Sequence, residues 1–75
     1  MPTFEVETIH YNPQGGIRTK ECDLFDSKNK AVDRMREIVR SNQGLQQQGK
    51  VRDGQVTFID DRGNVRHLIK IGQIV

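Results

Sequence analysis

Apolar residues recur along this chain in two periods. Between Ser27 and Ser41, Ala31, Val32, Met35, Ile38 and Val39 fall three or four apart, which predicts one amphipathic helix. On both sides of it the period shortens to two. Phe4 and Val6 alternate with Glu5 and Glu7, predicting a strand from Thr3 to Tyr11. Ile9 falls in phase with the glutamates, so this strand either bulges near Thr8 or turns Ile9 outward. Ile17 to Phe25 reads as a second strand, mostly polar and therefore exposed or at an edge. Gln55 to Asp60 is a third, with Val56 and Phe58 on one face. Val65 to Ile71 is a fourth, with Val65, His67, Ile69 and Ile71 on one face and Arg66, Leu68 and Lys70 on the other.

The segments between these elements carry turn chemistry. Asn12-Pro13-Gln14-Gly15-Gly16 and Asp61-Arg62-Gly63-Asn64 each predict a tight antiparallel hairpin, with a glycine at positive φ. Asp26 and Ser27 are both suitable helix N-caps, and Gly44 is the expected left-handed C-cap. Leu45 to Gly49 reads as a glutamine-rich connector or a ragged extra turn of helix, and Lys50 to Arg52 as the start of a strand interrupted at Asp53-Gly54. The apolar end, Gly72 to Val75, is expected to pack or pair. No internal repeat stands out. The predicted fold is α+β in the order ββαββ: one helix packed on one face of a four-stranded antiparallel sheet, in a single small domain spanning residues 1–75.

One helix covers only one face of a sheet. The covered face should hold Phe4, Val6, Val56, Phe58, Val65, Ile69 and Ile71. Alternation then sends Glu5, Glu7, Arg18 or Lys20, Gln55, Thr57, Ile59, Arg66, Leu68 and Lys70 to the other. That second face mixes bases, hydrogen-bonding groups and a few aliphatics. A solvated sheet could look the same; the expected alternative is a contact surface.

Size sharpens this expectation. At 75 residues, a single core rarely supplies more than ~3–5 kcal/mol. The one cysteine, Cys22, rules out an internal disulfide, and no Cys/His cluster offers a structural zinc site. Self-association is the remaining common remedy, so a homodimer is expected. The unpaired cysteine and the absence of a signal-like start fit a reducing cytoplasm, and no apolar run is long enough to cross a membrane.

Catalytic chemistry finds little footing. His10 and His67 read as surface, core or edge residues. Carboxylates beside Cys22 disfavour a thiolate. Asp60 and Asp61 sit at a hairpin tip, where aspartates usually serve the turn, and no phosphate or dinucleotide fingerprint is present. Neither a cofactor nor a metal is expected, and the chain reads as non-enzymatic.

The net charge of +2 is uneven, with the basic excess in the late helix and the last two strands. This leaves two functional expectations. The first is a protein-interaction module of the accessory or inhibitor kind that, on base rates alone, phages and mobile elements often carry. It would bind through the open face or an edge, using Thr57, Arg62, Arg66, Leu68 and Lys70. The second is a nucleic-acid-binding regulator using the same basic strands, although the open face is expected to lack the aromatic platforms that single-strand readers use.

Overall fold

Ser27 begins the helix as the pattern requires: its hydroxyl accepts the Lys30 N–H at 3.2 Å. A computed structural model describes residues 2–74. Its elements are β1 (Phe4–Tyr11), β2 (Ile17–Phe25), α1 (Lys28–Ser41), β3 (Gln46–Gln48), a 3-10 turn (Val51–Asp53), β4 (Gln55–Ile59) and β5 (Val65–Gln73). The fold is α+β, with one helix and one antiparallel sheet in the order β2-β1-β5-β4-β3. The sheet has five strands rather than four. The added strand, β3, pairs along the edge of β4.

The core lies between α1 and one face of the sheet. Val6, Val56, Phe58 and Ile69 are buried there against Ala31 and Met35 of the helix. Phe4, Phe25 and Ile71 extend the same layer. The helix's outer face is laced with ion pairs, Arg34 to Glu37 and Arg36 to Asp33, and Arg34 also reaches Asp23 of β2. At 1.5 Å per residue a 14-residue helix is about 21 Å long, against a longest molecular dimension of 42 Å. It covers only about half of the long dimension of the molecule.

Some expectations left open are resolved here, and others need correction. β1 has no bulge at Thr8: its register with β5 is unbroken from Phe4 to His10. Ile9 therefore turns away from the helix, yet it is only 6% exposed, set between Lys20 of β2 and Leu68 of β5. The helix ends at Asn42, whose N–H bonds the Val39 carbonyl, and Gly44 does not take positive φ. Residues 51–53 form a 3-10 turn rather than the start of a strand. The Ile74 N–H pairs with the Thr3 carbonyl at 2.8 Å, while Val75 lies outside the described residues.

The two hairpin ends are built alike. In the first, Asn12 and Gly16 close the loop, Gly15 takes φ +94°, and the Asn12 side chain accepts from Gln14 N–H and Gly16 N–H. In the second, Asp60 and Asn64 close the loop, Gly63 takes φ +83°, and the Asp60 carboxylate accepts from Arg62 N–H and Asn64 N–H. Each loop is followed by an irregularity that leaves one arginine without an opposite residue. Tyr11 pairs with Ile17 and His10 with Thr19, skipping Arg18; Ile59 pairs with Val65 and Phe58 with His67, skipping Arg66. The second slip reverses one assignment. Val65 faces away from the helix, opposite Ile59, and is 38% exposed.

Candidate functional site: the uncovered sheet face

β1 and β5 are neighbours and antiparallel, so the two hairpin ends lie side by side. Between them, on the face away from α1, runs a recess of about 470 Å³. Its floor comes from the strands: Tyr11 of β1, Val65 and Leu68 of β5, Gln55 and Thr57 of β4. Gly15 of the first hairpin loop and Gly63 and Asn64 of the second complete it. None of these side chains carries a charge. Thr57 stands directly opposite Leu68, and Leu68 opposite Ile9, so one cross-strand row crosses three strands. Ile59 pairs with Val65.

The five residues proposed from sequence do not form one site. Thr57 and Leu68 line the groove. Arg62 and Arg66 line a separate hollow at the hairpin tips with Pro13, Asp60 and Asp61, joined to the groove through Asn64. The Arg66 guanidinium is turned to Asp60 at 3.8 Å, and its Nε is buried without a hydrogen-bond partner among the described residues. Lys70 lies in a third recess beside Glu5 and Glu7, paired to Glu7 at 3.5 Å. Of the three bases, only Arg62 has no ion-pair partner among the described residues.

Sequence reading missed Tyr11 and Val65. Tyr11 is the last residue of β1, and it lines the groove. The open face therefore does hold one aromatic. Val65 was hidden by the slip at Arg66. A visible signal existed for both: Asn12 and Asp60 each precede a glycine by three residues, the spacing of a loop that ends in a bulge.

The titratable groups fall into place around this face. Asp60 is held below the usual carboxylate range by the Asn64 N–H, then by the Arg62 N–H and the positive charges of Arg66 and Arg62. It is a turn residue in its geometry. Cys22 is exposed on the open face; desolvation and the Glu5, Glu7 and Asp23 carboxylates hold its thiol above the ordinary range, away from the thiolate form. His10 and His67 are not isolated. They face each other across β1 and β5 with Nδ1 atoms 2.8 Å apart. Among the described residues, no group of three or more His, Cys, Asp or Glu could hold a metal ion, and no helix is long and apolar enough to cross a membrane.

No family model, curated protein or solved structure matches this chain.

Proposed function

We propose that this chain is a non-catalytic binding module that seats an uncharged segment of a protein partner in the groove between its hairpin tips. The observation that carries this reading is the lining of the groove. It offers apolar floor at Leu68 and Val65, an aromatic side at Tyr11, and neutral hydrogen-bonding groups at Thr57, Gln55 and Asn64. A surface built for phosphates would set cations there. Here Lys70 and Arg66 stand outside the groove and are engaged by Glu7 and Asp60. A reducing cytoplasm suits this reading, since Cys22 is exposed and unpaired.

A second copy of the chain could use the same face, and we place any homodimer there rather than at the β2 edge. A twofold axis normal to the sheet sets same-face residues of β2 opposite one another. Centred on Lys20, Glu21 or Cys22, it opposes Lys20 to Lys20, Glu21 to Glu21, or Glu21 to Asp23. Each register meets like charge, a common defence of edge strands. Light scattering over a dilution series tests self-association directly.

Leu68→Asp places a charge on the groove floor while leaving the helix-side core untouched. Affinity capture from the source cells, repeated after nuclease treatment, is expected to retain a protein partner on the native chain and lose it on Leu68→Asp, with Lys28→Glu as a surface control. Random single-stranded DNA is expected to bind weakly and release at moderate salt. Sub-micromolar binding to that DNA at physiological salt, with a steep salt slope, would instead favour the nucleic-acid reading.

A further inference from the structure

Among the described residues, the two histidines form a chemistry-bearing cluster that the groove does not use. His10 and His67 are directly opposite residues of the central strand pair, on the face opposite Tyr11 and Leu68, their immediate chain neighbours. Their rings meet edge to face, with centroids 4.9 Å apart and planes at 84°. At 2.8 Å between Nδ1 atoms, one nitrogen must carry the hydrogen and the other must be bare. The outer nitrogen of His10, Nε2, faces the Glu21 carboxylate of β2 at 3.5 Å.

Proton counting shows what this contact can do. With both rings neutral, an Nε2–H of His10 facing Glu21 leaves its Nδ1 free to accept from His67. One added proton still leaves one Nδ1 bare, so the bond persists. A second puts a hydrogen on both Nδ1 atoms, and the contact becomes a repulsion between two cations. The surroundings oppose that state. Burial holds the His67 imidazole below its ordinary range, and the positive charges of His10, Arg66 and Arg18 act the same way. Glu21 on β2 is the facing acid, nearest His10, and Asp60 is already engaged by Arg66. Phe58 of β4, opposite His67, adds no charge, and none of the charges acting on His67 sits on α1.

We propose that His10 and His67 form a proton-operated latch between the two hairpins: closed while the pair lacks its second proton, and opened by that proton, which loosens the β1–β5 junction behind the groove. The sign follows from the depressed imidazole. The unfolded chain takes up this proton near pH ~6.5 and the folded chain only at lower pH. The latch contributes its full stability above that pH and loses it as the pH falls.

The test is an NMR titration of the full chain between pH 8 and pH 4.5, following the ring nitrogens and backbone amides. His67 is expected to titrate below ~6.5, and the amides of Tyr11, Val65 and Leu68 to shift with the same midpoint, while those of Ala31 and Met35 stay fixed. In His67→Asn, which cannot titrate, the groove amides are expected to lose that step. A single shared midpoint near that of free histidine, still groove amides, or an unchanged step in His67→Asn would each overturn the latch. Should His67→Asn fail to fold, the native titration decides alone, because the agreement of ring and amide midpoints needs no variant.

Discussion

Phe58→Ala is expected to abolish the folded state at room temperature. Phe58 is the largest fully buried side chain, 1% exposed, on the inner face of β4. It stands opposite Gln47 on one side and His67 on the other, so it ties β3 and β5 to the core. Truncating a buried phenylalanine to alanine costs about 3–5 kcal/mol. A core of this size supplies only ~3–5 kcal/mol in total. The cost therefore equals the whole margin, and Ala31 in the same cluster is too small to fill the void. Circular dichroism should show loss of strand and helix signal, and amide resonances should collapse to unfolded dispersion. Phe58→Leu, which keeps most of the volume, is expected to fold with a lower melting temperature. A cooperative Phe58→Ala transition close to the native one would mean that stability comes from elsewhere. The first alternative is association between copies, and its signature is a melting temperature that rises with protein concentration.

How much of this was legible beforehand depended on what each feature draws on. The helix could be read because its period, its Ser27 cap and its charged outer face are all local. The first, second, third and last predicted strands could be read from alternation and loop residues. β3 could not: Gln46-Gln47-Gln48 has no apolar pattern, and it is held by backbone pairing to β4 and by Gly49 at its end. Val65 was placed on the wrong face because one skipped residue, Arg66, inverts every side chain on one side of it. Arg66 left the proposed site for the same reason. The histidine pair needed the strand order itself, since only the adjacency of β1 and β5 brings residue 10 against residue 67. The groove inherits the last two of these difficulties. Thr57 and Leu68 followed from simple alternation, whereas Val65 needed the bulge, and Gly15 and Gly63 needed the two hairpin ends to lie side by side.

Gly49→Ala is expected to be far more damaging than Gly63→Ala, although the two glycines have nearly the same backbone. Their φ angles are +86° and +83°. Each alanine would accept the left-handed strain of about 1–2 kcal/mol. The difference lies in what the new methyl meets. At Gly63 no described residue lies within 4 Å of the new methyl, so strain is the whole cost. At Gly49 the Cβ would sit 2.7 Å from the carbonyl oxygen of Gln55 and 3.8 Å from the Cα of Val56. Both belong to the backbone of β4, which cannot swing aside as a flexible side chain can. Relief requires moving residues 46–49 away from β4 or shifting β4 itself, where Val56 is fully buried in the core. Overpacking of this kind adds about 1–3 kcal/mol, which brings the total close to the stability of the domain. Urea midpoints should therefore fall modestly for Gly63→Ala and sharply for Gly49→Ala, with the amides of Gln46 to Gln48 losing exchange protection in the second variant only. Equal midpoints would show that β3 does not approach β4 this closely, and that Phe58 is less enclosed on that side than its burial implies.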